Sequence, residues 1–437
     1  MPYPDERAGL SAIRAIVESS DFNEFRSRLQ APSPDTVLDL PPFEPCRQGI
    51  SRTHLVAIDG SQVYDHFPGR LPDTHAGAVS LGVVVIRLSE LSQLERLPTS
   101  GAVDPRRLRD TESGHSLGTL LPGTNARSVD GLEPRQWFRR CVNDLLGSIS
   151  LGDETFAETL YALLGASHTI RNCPNAECTA NTLPMPAPGS TGRCATCGFE
   201  ILTSDALRIH EQFIENQSAV ECHIRVMQTL EILALANSLR CLSKSENGLD
   251  ALRRTAFVMD GQLAAFGTIA VLAQAVRRDI SRIQGILSDK HPGGHLLVLS
   301  GVKTGPFVQH AEELDRAPAP NSRIPIDHFW LPDNSYIRQH IIAGQSSYSK
   351  PWGELTHFGR PLILKTAQGQ RLVLNIAQPE ADPPLTDRPA PLVLADAIST
   401  AAPLGVGTDQ FLALRRSHRW ASIPLKAGED LIHSLVR

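Results

Sequence analysis

The chain has 437 residues, of which 41% are apolar and 20% charged, with a formal net charge of −5. That is enough chain for several ordinary domains or one large domain with insertions, and enough apolar content for a sizeable core. The charge excludes a histone-like polycation. No apolar run approaches the roughly 18 residues of a membrane span, and the N-terminus MPYPDERAGL lacks the blocks of a secretory leader. The expectation is a soluble, cytoplasmic protein with no membrane partner.

Residues 1–30 read as helical, with Leu10, Ile13 and Ile16 near helical spacing, and the Pro-rich stretch 31–45 follows. LVAID (55–59) is a continuous apolar strand ending in an acid, and SLGVVVIRL (80–88) is a second strand able to pair with it. Residues 97–135, rich in Pro, Gly and charge, predict surface loops. WFRRCVNDLLGSI (137–149) and ETFAETLYALLG (154–165) predict helices. Helical patterning resumes over 205–242, with a polar loop SKSENG after it. FVMDG (257–261) is another buried-type strand ending in an acid, followed by a helix to about Ile283. HLLVLSGVK (295–303) is a further strand. Asp333 caps a predicted helix that Gly344 stops. Residues 360–378 read as a hairpin, and 378–391 as a linker. Short apolar strands mixed with long helices predict an α/β core around a buried mixed sheet.

Asp59 and Asp260 each end such a strand and each precede a glycine. Glu231 lies in RVMQTLEILALA, with Met227, Gln228, Ala234 and Leu235 one turn away. A carboxylate on a buried element is costly unless a positive group meets it. Three such acids offer oxygen ligands to Mg²⁺ or Mn²⁺. From the residues alone, the Asp-Gly pairs read equally as turns, and Glu231 as the partner of an arginine; Glu211, Glu215 and Glu221 lie upstream as alternatives. The order of strand with Asp, antiparallel strand, helix with Glu and strand with Asp is that of ribonuclease H-like nucleases, with a large insertion before the helix.

Four of the eight cysteines fall within 25 residues, as Cys173-x4-Cys178 and Cys194-x2-Cys197-Gly198. Two pairs on separate turns predict a closed, tetrahedral, structural Zn²⁺ site. The intervening TANTLPMPAPGSTGR is too polar and Pro-rich to hold a core of its own, so the metal is expected to supply the stability. The remaining Cys46, Cys141, Cys222 and Cys241 are scattered.

LVAIDGSQ, LTSDALRIHEQF, RVMQTLEIL, FVMDGQLAAFG, GVKTGPFVQH, THFGR and SHRWASIPL resemble, in order, the motifs of the NurA family of DNA-end-processing nucleases, in its bacterial form with a zinc-ribbon insertion. The residues themselves give an N-terminal helical segment and Pro-rich linker over 1–50. The resemblance implies a nuclease domain over 51–437, interrupted by a zinc ribbon over 168–204. The implied core is ribonuclease H-like, with peripheral helices. The implied activity is metal-dependent 5′→3′ exonucleolytic, and sometimes endonucleolytic, cleavage of DNA with Mn²⁺ or Mg²⁺. A homodimer docked on a hexameric HerA-type ATPase is implied as the assembly, serving end resection in repair or defence against phage. Carried over by motif, Asp59, Glu231 and Asp260 match the metal-binding acids, His418 a histidine near the site and Lys303 a lysine of the third strand motif. In a two-metal reaction, with ions about 3.5–4 Å apart, Asp59 would bridge, His418 would position or protonate an oxygen and Lys303 would stabilise the phosphate. The chain departs from the pattern at Gln262, where proline is usual, and at His357, where tyrosine is usual. A non-catalytic adaptor of the same fold is the alternative reading. Candidate DNA tracks are PRRLR (105–109), RQWFRR (135–140), RRDISR (277–282) and LRRSHRW (414–420). Arg208, His210 and Glu211 have no assigned role, and Ser204 or Asp205 is expected to anchor a helix start.

Overall fold

A computed structural model describes residues 17–28, 41–67, 74–88, 112–214, 217–316, 324–342, 352–378, 388–402 and, near the C-terminus, 405–406, 410–411, 414 and 417–422. The chain divides into two units, residues 1–41 and 42–437. In the first, the described element is the helix Ser20–Arg28; Leu10, Ile13 and Ile16 lie outside the described residues, as does PRRLR.

The second unit opens with the meander β1 (His54–Phe67), β2 (Thr74–Arg87) and β3 (Glu112–Pro122). Helices α1 (Pro134–Ser148) and α2 (Phe156–Leu164) follow. Pro134 suits the first turn of α1, where no intrahelical N–H is needed. Thr155 and Glu158 form a reciprocal capping box at α2. After the cysteine segment come α3 (Val220–Ser243), α4 (Glu246–Arg254), β4 (Thr255–Asp260), α5 (Val271–Lys290) and β5 (Leu297–Val302). Next come α6 (Pro306–Arg316), β6 (His328–Trp330), β7 (Gly359–Lys365), β8 (Arg371–Ala377) and α7 (Pro391–Ala401).

All eight strands, with the short strand Glu44–Pro45, form one mixed sheet, in the order 44–45, β6, β7, β8, β5, β4, β1, β2, β3. β4 runs parallel to both β1 and β5, and the other neighbours are antiparallel. A three-stranded meander followed by two parallel strands beside its first strand is the expected ribonuclease H-like layout. Alternate residues of the central strands feed opposite faces. Ile58, Phe257, Met259 and Val298 pack under α1, α2, α3 and α5. Leu55, Ala57, Ala256, Val258 and Leu299 pack under α7 and Leu414. Both faces are covered, which is why these strands read as continuous apolar runs.

Several expectations need correction. Asp59 does not end its strand: β1 runs eight residues further, to Phe67, as a ribbon with β2. The expected loop 97–135 contains β3, whose alternation hides among glycines and polar residues. Patterning over 203–212 forms 3₁₀ turns, broken at Arg208 (φ 56°), and the α-helix begins only at Val220. SKSENG is not a loop throughout: Ser245 accepts a hydrogen bond from Gly248 N–H and caps α4. Asp333 does cap a turn, but Asn334–Tyr336 passes into a π-turn at Ile337–Ile341. Helices α6 and α7 have no counterpart among the sequence expectations.

Candidate active site

The register of the sheet brings the first two acids together. Parallel pairing of β1 with β4 stops at Ile58 opposite Met259, so Asp59 and Asp260 follow side by side where the two strands part. Asp59 is buried, with 3% of its surface exposed. Desolvation holds its carboxyl above the usual carboxylate range, against the pull of His418.

Helix α3 crosses the opposite face and delivers Glu231. Its Oε1 accepts the Gly60 N–H at 2.6 Å. A Cβ at residue 60 would lie 2.5 Å from Met227 Cγ and 2.8 Å from Glu231 Oε1, so only glycine admits the helix this closely. Desolvation and, next, the Asp59 charge push the Glu231 carboxyl up to about 8. Glu221 pairs with Arg225 and Glu211 with Arg208, so neither competes for this position; Glu215 lies outside the described residues.

Two basic side chains complete the cluster. Lys303 follows β5 and its Nζ lies 2.6 Å from Asp260 Oδ2. His418 lies in the helical turn 417–422, with Nδ1 3.1 Å from Asp59 Oδ2. Its imidazole is shifted upward by that hydrogen bond. This turn reaches Asp59 because Gly82 sits directly opposite Asp59 on β2. A Cβ there would stand 2.5 Å from the Ser417 carbonyl oxygen. Ser80 Oγ also donates to the Ala421 carbonyl, at 2.5 Å. Residues 59, 231, 260, 303 and 418 therefore meet at the carboxyl ends of β4 and β5, where open α/β sheets place their sites.

Among the described residues, Cys173, Cys178, Cys194 and Cys197 are the one group of three or more His, Cys, Asp or Glu whose ligand atoms lie within 4.8 Å of one another. The three carboxylates stand wider, with Lys303 and His418 on two of them. The cysteine sulfurs are 3.6 Å (Cys173–Cys197) and 3.8 Å (Cys178–Cys194) apart. Thiolates about 2.3 Å from a tetrahedral ion stand about 3.8 Å apart, so the four sulfurs could hold zinc. Hairpins 169–170/183–184 and 192–193/200–201 carry the cysteines. Contrary to expectation, this segment has a small core of its own: Ile170, Leu183, Met185 and Ile201, against Tyr161 and Phe199.

The segment is fastened to α1 by a buried ion pair. Arg139 grips Asp205 at 2.9 and 2.6 Å, and Asp205 also accepts the Leu202 N–H. His210 Nδ1 lies 3.5 Å from Asp205, and Arg208 pairs with Glu211. The DALRIHEQF residues thus form a structural clamp: Asp205 holds Arg139 and a 3₁₀ turn, and the α-helix it was expected to start begins only at Val220. The candidate DNA tracks fare less well. In RQWFRR, Phe138 and Arg139 are buried and Arg140 pairs with Glu200. In RRDISR, Arg277 is buried and Arg282 pairs with Asp279. In LRRSHRW, Trp420 packs against the α7-side core and Arg419 is exposed; Arg415 and Arg416 lie outside the described residues. The sequence missed the Gly60 N–H as a contact of Glu231 and Gly82 as the seat of the His418 turn. The only available signal for either was a glycine within a strand.

Over 98% of this chain and 97% of the other, the structure is similar to that titled the NurA nuclease from Sulfolobus solfataricus, at 11% identity and a TM-score of 0.36. That is the family whose motifs the sequence resembles, but a likeness so distant carries no weight beside the geometry. No protein-family model and no curated protein matches the chain. No helix among the described residues is long and apolar enough to cross a membrane.

Proposed function

We propose that this chain is a metal-dependent nuclease that hydrolyses phosphodiester bonds of DNA at the site where Asp59, Glu231 and Asp260 converge. The observation that carries the reading is Glu231. Its charge is disfavoured by desolvation and by Asp59, and no cationic side chain lies within ion-pair distance of it among the described residues. An oxygen donor that lacks a counter-charge, set beside two further carboxylates, fits a hard divalent cation, Mn²⁺ or Mg²⁺. Such an ion, when bound, polarises the phosphate and lowers the pKa of water. His418, held by Asp59, keeps a proton available near neutrality for the leaving oxygen. Lys303 sets a positive charge beside Asp260, where a phosphate oxygen gains by it. Zinc in the four-cysteine cluster is a structural ion in this reading, since four thiolates leave no open position. The family resemblance adds the domain division at residue 50, 5′→3′ polarity, a homodimer and a hexameric HerA-type ATPase that feeds DNA to the site.

The test is degradation of end-labelled single- and double-stranded DNA with Mn²⁺, Mg²⁺ or EDTA, comparing wild type with Asp59→Ala and Asp260→Ala. Metal-dependent cleavage lost in both variants is the expected result. Cleavage that survives both substitutions, or wild-type inactivity even with a HerA-type ATPase added, sinks the proposal.

A further inference from the structure

The chain leaving Asp260 is stitched down on both sides. Gly261 N–H donates to the Gly301 carbonyl at 3.0 Å, Phe358 N–H to Leu263 at 2.8 Å and Ala265 N–H to Thr356 at 2.8 Å. Ala264 and His357 form an antiparallel bridge. The turn 353–358 is itself held by buried Arg277, which donates to the carbonyls of His357 and Glu354 at 3.2 and 3.1 Å.

Backbone stitching alone requires no polar side chains here, yet two face each other. His357 is 4% exposed and lies against Trp352 and Phe266, with ring centroids 4.2 and 5.3 Å away. Its Nε2 is 3.0 Å from Gln262 Oε1, and its Nδ1 is 2.9 Å from Thr356 Oγ1. Burial keeps the ring neutral, so it carries one N–H. An amide oxygen only accepts, so the proton sits on Nε2 and Nδ1 accepts from the Thr356 hydroxyl. In this tautomer the Gln262 carboxamide turns its oxygen to the ring and its NH₂ away from it. Its NH₂ group has no partner among the described residues, and the side chain is half-exposed two residues past Asp260.

We propose that Gln262 donates an amide N–H to a non-bridging oxygen of the substrate phosphate beside Asp260, and that His357 is the positioning residue that aims it. The proposal rests on the reading of the acidic cluster as a phosphodiesterase site. A donor oriented before the substrate arrives stabilises charge developing on a phosphoryl oxygen without reorganising. The arrangement also explains a buried, neutral histidine with both ring nitrogens satisfied near the acidic cluster.

The test separates aiming from scaffolding. Gln262→Glu keeps the acceptor for His357 but replaces the donor with a charged acceptor. Gln262→Ala removes both. His357→Phe keeps a ring between Trp352 and Phe266 and removes the N–H. The full chain is assayed for kcat and KM on a single-stranded oligonucleotide at saturating Mn²⁺, with Mn²⁺ affinity by calorimetry and Tm alongside. Gln262→Glu and Gln262→Ala should each lower kcat roughly 10- to 100-fold, with Mn²⁺ affinity and Tm unchanged. His357→Phe should lower kcat less, and His357→Gln, which can present an amide N–H to Gln262, should recover part of the loss. Wild-type kcat in Gln262→Glu overturns the proposal, as does a loss of Mn²⁺ affinity that accounts for the whole loss of rate. If wild type cleaves nothing even with a HerA-type ATPase added, the underlying reading fails and this proposal with it; if wild type and Gln262→Glu cleave alike, only this proposal fails.

Discussion

At residue 60 a single missing methyl group decides whether the candidate site exists. Glycine there lets α3 approach until Glu231 accepts the backbone N–H, and any larger residue meets Met227 and Glu231 below 3 Å. Gly60→Ala should therefore push α3 outward and cost about 1–3 kcal/mol, as overpacking does. Mn²⁺ affinity should fall with it, which calorimetry beside a denaturant titration would show. An unchanged Mn²⁺ affinity in a stably folded variant would remove Glu231 from the metal set. Asp59 and Asp260 were legible in the sequence because both follow apolar runs. The Glu231 contact was legible only in part, since a helical glutamate does not announce which backbone it will meet.

The cysteine-bearing segment is held by its sulfur cluster, its small apolar core and the Arg139–Asp205 clamp to α1. Both members of the clamp are almost fully buried, with side chains 3% and 1% exposed. Removing one partner of a buried pair strands the other charge, which typically costs about 3–5 kcal/mol. Asp205→Ala should lower stability by that order in a urea titration, and more than Arg140→Ala, whose pair with Glu200 is half-exposed. Equal effects would mean that the clamp is not the fastening. RQWFRR read as a basic track because a guanidinium count cannot tell a solvated arginine from one turned inward onto a carboxylate 66 residues away. The same limit hid β3 and α4, whose polar residues face solvent or cap a helix while a few apolar ones find the sheet.

Across the whole molecule, acid should be destabilising for a reason carried by histidines on several elements. His210, His223, His310 and His357 are each pushed down to about 4 by burial. Their folded-state values lie below the unfolded value of about 6.5, so between the two the unfolded chain binds more protons. Their contribution is fully present above pH 6.5 and is lost as pH falls through about 4. Thermal melts from pH 7.5 to 4.5 should show Tm falling progressively, and the fall should shrink in His223→Phe; a flat Tm over that range contradicts the account. The sequence by itself determined the mixed α/β class, the central strands β1, β4 and β5, the helices α1, α2 and α5, the β7–β8 hairpin and the four-cysteine cluster. Each of these rests on periodicity or spacing within a few residues, which the chain displays locally. Only the tertiary structure decided that Asp59 lies mid-strand, that Glu231 meets Gly60, that the 417–422 turn seats on Gly82, and that Gln262 meets His357. Those contacts join residues from about 95 to more than 300 positions apart. They depend on sheet register and on close backbone approach, which no local pattern encodes.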